Sequence, residues 1–218
     1  APAPPPSGRE IVALALRKES LILGMGLAGS FSFYTAMTTW LPTFYHEARG
    51  MSLERAGQVT GLLPFVGMAG GIVGGILATR VGRRRPFLII PSLVMVVSGL
   101  ASFTLDSQVA IYLSVATMGF VCWFYVPSAF TVPLELPGMT PQKVGIAMAT
   151  SLGIGNLAAF LAPLMVGLLA DVTGSYVPGF AMLCGLALLL GLAGYLLPET
   201  GPGARKAIAP AKVALAQK

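Results

Sequence analysis

Residues 56–79 read AGQVTGLLPFVGMAGGIVGGILAT, 24 consecutive positions without a charge. A helix needs about 20 predominantly apolar residues to cross the ~30 Å hydrocarbon core of a bilayer. Five further uncharged, apolar stretches match this one, at 20–45, 86–105, 107–134, 144–170 and 172–198. The composition agrees: 55% of residues are hydrophobic and only 10% charged, against about 25% charged in an average soluble domain. Backbone polar groups in lipid must bond internally, so spans are helices or closed barrels. Barrel strands alternate apolar and polar over roughly ten residues. These stretches are longer and apolar all round, so the expected fold is all-α, a polytopic transmembrane bundle of six spans.

The charges fix an expected orientation. If the first span starts in the cytoplasm, the inner segments hold Arg9, Arg17, Lys18, Arg80, Arg83, Arg84, Arg85, Lys143, Arg205, Lys206, Lys212 and Lys218. The outer loops hold only Arg49 and Arg55. Such a bias places positive loops inside, and an even number of spans then puts both termini in the cytoplasm. The net charge of +6 is thus a topology signal, and no nucleic-acid partner is expected. Three segments follow: a Pro-rich linker and charged approach over 1–19, a transmembrane domain over 20–201, and a basic, Ala-rich tail over 202–218. The chain does not begin with Met, which leads to the expectation of a fragment or a processed product.

Several local signals bear on packing and chemistry. Gly67, Gly71 and Gly75 recur at i, i+4, i+8, with Gly70 and Gly74 alongside, and small residues on one face let another backbone approach closely. Ser52 is placed to N-cap the second span. Phe31, Tyr34, Thr35 and Thr38 share one helix face in the first span. Trp123 and Tyr125 lie near mid-depth of the fourth, beside Cys122, and Asn156 lies near the centre of the fifth. An unpaired Asn in hydrocarbon costs a few kcal/mol, so it needs a partner. Each has a packing alternative: hydroxyls bonding back to their own helix, aromatic rings between helices, Asn156 as interhelical glue. Thr39 and Trp40, nearer the outer interface, read as anchors. No Asp, Glu, Lys, Arg or His sits in the middle of a span, so no proton carrier of the usual intramembrane kind is expected. The single histidine, His46, stands in a loop, and Cys122 and Cys184 lack ligand spacing. Neither a metal site, nor a cofactor, nor an intramembrane protease is expected. No selectivity-filter run points to a channel.

The segment Gly75-Ile-Leu-Ala-Thr-Arg-Val-Gly-Arg-Arg-Arg85 resembles the G-x-L-A-D-R-x-G-R-R/K signature of the major facilitator superfamily. In that family it recurs between the second and third helices and between the eighth and ninth. Pro163-Leu-Met-Val-Gly-Leu-Leu-Ala-Asp-Val-Thr-Gly174 resembles the end of its eleventh helix, and Leu197-Pro-Glu-Thr-Gly201 the ending after its twelfth. Gly50-Met-Ser-Leu-Glu-Arg-Ala-Gly57 resembles the turn from the seventh into the eighth. The chain therefore resembles the C-terminal six-helix half of a twelve-helix transporter.

That resemblance implies transport of a small organic solute by alternating access, with a site at the midplane between two halves. Spans one, two, four and five would line it, and spans three and six would face lipid. A second half would be the missing N-terminal half of the same chain or a homodimer partner, and the setting a bacterial inner membrane. The loop motif formed by Gly75, Arg80, Gly82, Arg83 and Arg84 departs from the family at Thr79, where the family carries Asp. A latch at this loop must therefore use other anions, and Glu135 and Glu199 are the candidates for pairing with Arg83 or Arg84. The alternative is a solvated, positive anchor. The competing function is a membrane adaptor or sensor that keeps a transporter fold without transporting.

Overall fold

The computed structural model describes residues 8–201; the first seven residues and the 202–218 tail lie outside them. Eight helices are formed among the described residues: α1 Gly8–Ala15, α2 Lys18–Glu47, α3 Leu53–Val81, α4 Pro86–Thr104, α5 Gln108–Phe124, α6 Val126–Glu135, α7 Pro141–Thr173 and α8 Val177–Leu196. Taking α5 and α6 as one span, six are long and apolar enough to cross a membrane. At 1.5 Å per residue the 19 residues of α4 extend about 28 Å, whereas the 33 of α7 extend about 50 Å and overrun a hydrocarbon core.

The chain chooses its helix ends by local chemistry. The Ser52 hydroxyl accepts from the Arg55 amide at 3.3 Å, and the Thr140 hydroxyl from the Lys143 amide at 3.4 Å. Each occupies one donor that the first turn leaves unpaired. Pro86 and Pro141 open α4 and α7 where a missing N–H costs nothing. Gly82 and Gly174 close α3 and α7 in the left-handed conformation, at φ +63° and +69°. Gly174 also corrects a boundary. The uncharged run at 172–198 suggests a span starting at Val172, but Val172 and Thr173 complete α7, and α8 begins at Val177.

Two further features were not foreseen in the sequence. The charged approach segment contains helix α1, which packs against α7. The fourth span is broken at Tyr125, between α5 and α6, two residues before Pro127. A proline ring cannot sit against the preceding turn without displacing it.

Helix α2 is the hub. Leu23, Leu27, Phe33, Ala36, Met37, Leu41 and Tyr45 on it are almost fully buried. It packs on α7 and α8; α8 packs on α4, α4 on α5, and α5 on α3. Polar bonds fasten the seams. Tyr45 donates to the Ser102 carbonyl at 2.8 Å, Ser92 to the Ala187 carbonyl at 2.9 Å, and Ser151 to the Ser20 carbonyl at 2.8 Å. The Trp40 indole N–H donates to the Pro163 carbonyl at 2.9 Å, and a Cβ on Gly167 would stand 2.9 Å from its ring. The residue read as an interface anchor thus clamps α2 to α7.

The glycines of α3 form a contact shifted from the i, i+4, i+8 reading. A methyl on Gly70 would collide with the Phe120 carbonyl, one on Gly74 with the Phe124 carbonyl, and one on Gly67 with the Trp123 ring. Gly71 and Gly75 have more room: their nearest neighbours across the interface would be 3.9 Å and 3.7 Å from an added Cβ. Only backbone without side chains can approach this closely. Gly74→Ala should therefore destabilise the bundle by about 1–3 kcal/mol, the usual cost of overpacking. Gly71→Ala should be neutral or slightly stabilising, since Ala is the better helix former. Thermal unfolding of the two variants in detergent separates them, and equal losses would contradict the contact face described.

Candidate functional site

Two clusters of polar side chains stand out, one at mid-span and one at an end. At mid-span, Phe31, Tyr34 and Thr35 of α2, Trp123 and Tyr125 at the α5–α6 junction, and Asn156 of α7 line one cavity of about 380 Å³. Three spans far apart in sequence thus bring six of the seven candidate residues together. Cys122, Val126, Phe130, Leu152 and Ala159 complete the wall. Phe130 carried no sequence signal, because a Phe in an apolar span reads as core or lipid contact. Leu152 stands one turn before Asn156 and could have been found by that spacing.

The seventh candidate, Thr38, is not part of the lining. Its hydroxyl donates to the Tyr34 carbonyl at 2.7 Å, within its own helix. Tyr125 contributes its ring only. Its hydroxyl donates to Ser30 at 2.7 Å, and Ser30 in turn donates to the Gly26 carbonyl at 3.1 Å. This chain of bonds holds the α5–α6 break against α2. Asn156 donates to the Leu152 carbonyl at 2.9 Å and is exposed. It therefore satisfies one N–H within α7 and bridges no helices, leaving its amide oxygen for the cavity.

Tyr34 and Trp123 meet edge to face, with ring centroids 5.8 Å apart and planes at 88°. The Trp123 ring rests on Gly67 of α3, so the missing side chain there decides where the indole lies. The lining offers hydrogen-bonding groups on Tyr34, Thr35 and Asn156 among aromatic faces. No Asp, Glu, Lys, Arg or His lines it. Such a wall can orient a small solute by neutral hydrogen bonds and ring contacts; it cannot neutralise a charge. Among the described residues no group of His, Cys, Asp and Glu is placed to hold a metal ion.

The second cluster sits where α3 turns into α4. The Arg84 guanidinium forms a two-point contact with Glu135, with Nη2 to Oε1 at 2.6 Å and Nε to Oε2 at 3.0 Å. Its Nη1 donates to the Ala78 carbonyl at 2.8 Å. The Arg84 backbone amide donates to Glu199 Oε1 at 2.6 Å, and Arg85 Nε donates to the Leu197 carbonyl at 3.0 Å. One arginine thus joins the end of α3, the end of α6 and the segment after α8. The hydrogen bonds to Glu135, with help from the Coulomb field of Glu135 and Glu199, outweigh burial and hold Arg84 more firmly protonated than a free arginine.

Gly201, at φ +111°, lies against the Gly82 carbonyl with no room for a Cβ, which would come within 2.5 Å of that oxygen. The other loop residues do not join the network. Arg80 and Arg83 are exposed, Gly75 faces Pro127, and Gly82 caps α3 and gives Gly201 its close contact but makes no charged bond. Thr79, at the family's Asp position, donates to the Ile76 carbonyl at 2.7 Å within α3. Arg84→Ala should cost about 3–5 kcal/mol of stability, the penalty for leaving a mostly buried carboxylate without its partner. Arg83→Ala should change it by less than about 0.5 kcal/mol, as exposed substitutions usually do. Unfolding midpoints in detergent check both, and Arg84→Glu combined with Glu135→Arg should recover part of the loss.

Comparison with known proteins places the architecture. Residues 2–140 match the profile of the Major Facilitator Superfamily. The chain is 30% identical over 153 residues to a probable sulfoacetate transporter, SauU, of Cupriavidus necator, covering 63% of this chain and 33% of that protein. It is 30% identical over 170 residues to a probable galactarate/D-glucarate transporter, GudP, of Bacillus subtilis, covering 73% and 36%. The crystal structure of a peptide transporter, POT, in complex with sulfate superposes with a TM-score of 0.69 at 23% identity, over 92% of this chain and 44% of that one. The chain spans about a third of the length of these curated relatives. Six apolar helices, the matched profile and the relatives agree: this integral membrane protein belongs to the Major Facilitator Superfamily.

Proposed function

We propose that the chain is the C-terminal half of a secondary transporter and supplies one wall of a path for a small organic solute. The supporting observation is the mid-span cavity. Six residues singled out from α2, the fourth span and α7 converge there, at the depth where this family places substrate. The exposed apolar faces of α3 and α7, with Phe65, Met68, Ile72, Phe160 and Leu164 all well over a third exposed, suit contact with a second six-helix unit. That unit would be the other half of a longer polypeptide, or, as the lesser alternative, a second copy of this chain.

The two relatives are named for sulfoacetate and for galactarate and glucarate, all oxygen-rich acids. The cavity described here holds neutral donors and acceptors only. On this reading the chain grips the hydroxyl-bearing or apolar part of its solute, and any cation that balances an acid group comes from the second half. A coupling proton carrier would sit there too. The Arg84–Glu135–Glu199 network acts as the latch on its side of the membrane, proposed from the charge bias to be the cytoplasm of a bacterial inner membrane with both termini inside.

The test is solute uptake by cells producing the native transporter that contains this half. Asn156→Leu and Tyr34→Phe should each reduce apparent affinity by about tenfold, the value of one hydrogen bond of roughly 1.4 kcal/mol. Thr38→Val, outside the lining, should change it by less than about twofold. Wild-type uptake with no response to Asn156→Leu or Tyr34→Phe would remove the cavity from the path. A native protein at the membrane that moves none of the relatives' solutes and binds none would instead favour an adaptor.

A further inference from the structure

We propose that α1 is an interfacial helix that docks on the anionic lipid headgroups of one leaflet. The inference rests on the topology proposed above only for which leaflet that is. Its depth is read from contacts. A Cβ on Gly194 of α8 would lie 2.8 Å from Leu88, in the first turn of α4, and one on Gly26 of α2 would lie 2.7 Å from Ala193 of α8. Gly26 is thus level with the start of α4, and α4 alone is about as long as the hydrocarbon core is thick.

Ser20 stands six residues nearer the end of α2, at most about 9 Å further out. Its hydroxyl donates to the Leu14 carbonyl of α1 at 3.2 Å. The end of α1 therefore lies in the headgroup layer, outside the core and short of bulk water. The turn that redirects the chain is fixed. Arg17 is extended, at φ −60° and ψ 133°, and its guanidinium pairs with Glu19 at 2.8 Å and reaches the Met139 sulfur at 3.2 Å. α1 packs on α7, which at 33 residues is longer than a hydrocarbon core requires.

At that depth α1 leaves Ile11, Val12 and Leu16 uncovered, at 43%, 57% and 65% exposure. In water such a helix would pay for three bare aliphatic side chains. In the interface they enter the acyl boundary while flanking cations meet phosphates. Arg9 and Lys18 are exposed and Lys143 is half-buried at the head of α7. Among the described residues none of the three forms a close ion pair, although Glu10 neighbours Arg9 in the first turn of α1 and the field of Lys18 reaches Glu19. A hydrophobic patch flanked by three cations free of close ion pairs, at headgroup depth, fits an anionic lipid surface, and the charge frame disfavours a purely apolar protein partner.

The experiment reconstitutes the whole chain, carrying Val12→Cys with an environment-sensitive fluorophore, in phosphatidylcholine vesicles with and without phosphatidylglycerol. The free thiols Cys122 and Cys184 are replaced by Ala to keep the label specific. The expected result is a blue-shifted probe, quenched by brominated lipid and shielded from aqueous iodide, with more shielding when phosphatidylglycerol is present. Replacing Arg9, Lys18 and Lys143 by Gln should abolish the lipid-charge dependence, each removed cation lowering the docked-to-free ratio about fivefold. Both leaflets carry the same lipids and iodide is supplied on both sides of the vesicle, so the readout does not depend on insertion direction, and a failed topology and a failed docking stay distinct. A probe open to iodide in both lipids would overturn the proposal. So would shielding that ignores lipid charge, or shielding that rises with protein density, which would assign the helix to a second copy.

Discussion

One mostly buried guanidinium holds an end of this bundle together. Arg84 takes both oxygens of Glu135, the Ala78 carbonyl and, through its backbone amide, Glu199. Helices α3, α4, α6 and α8 all end or begin there, and each would otherwise present unpaired carbonyls or amides. The charged side chains satisfy some of these groups directly: the Ala78 and Leu197 carbonyls and the Arg84 amide. The arrangement depends on Gly82 to turn the chain and on Gly201 to pass beneath it. Because the two carboxylates arrive from α6 and from beyond α8, separating those elements means breaking charged bonds in a poorly solvated place. On the proposed reading, that cost is what would let the cluster act as a latch.

Closer to mid-span the governing constraint changes from charge to volume. Lipid tails are as apolar as leucine, so helices in a membrane associate by fit and not by escape from water. The fit of α3 to α5 relies on bare backbone at Gly67, Gly70 and Gly74. It also brings the Trp123 ring against α3 at Gly67, with the Tyr34 ring perpendicular to it. The cavity wall is therefore a consequence of packing as much as of its own side chains. The break at Tyr125, tied to α2 through Ser30, sets the far side of the same wall.

The number of spans could be read from charge-free length, because a bilayer imposes a length that few other environments demand; their limits could not everywhere, since Val172 and Thr173 belong to α7 and the fourth span breaks at Tyr125. The site was legible where residue type and depth coincided: Tyr34, Thr35, Trp123 and Asn156 are polar or aromatic groups in apolar runs, and the cavity collects them. Thr38 shared their helix face, but periodicity does not reveal a hydroxyl that bonds back to its own turn. Tyr125 was placed correctly by depth, yet its hydroxyl serves Ser30, a contact 95 residues away in sequence. The loop motif singled out several arginines equally. Only the three-dimensional path of the chain distinguishes Arg84, turned inward, from Arg83, turned out. Helix α1 escaped notice because its flanking charges dominate a short apolar core.

The most direct test of the central claim is thiol accessibility at the cavity. Tyr34→Cys or Thr35→Cys, in the native transporter within sealed membranes, would be challenged with a membrane-impermeant thiol reagent from each face separately. Cys122, in the wall of the same cavity, and Cys184 are first replaced by Ala, so that only the new thiol can react. If these residues line an alternating path, each new thiol reacts from both faces, and modification stops uptake. If they face lipid or closed core, the impermeant reagent reaches them from neither side while a lipid-soluble reagent still does, and the transport reading of this cavity is contradicted.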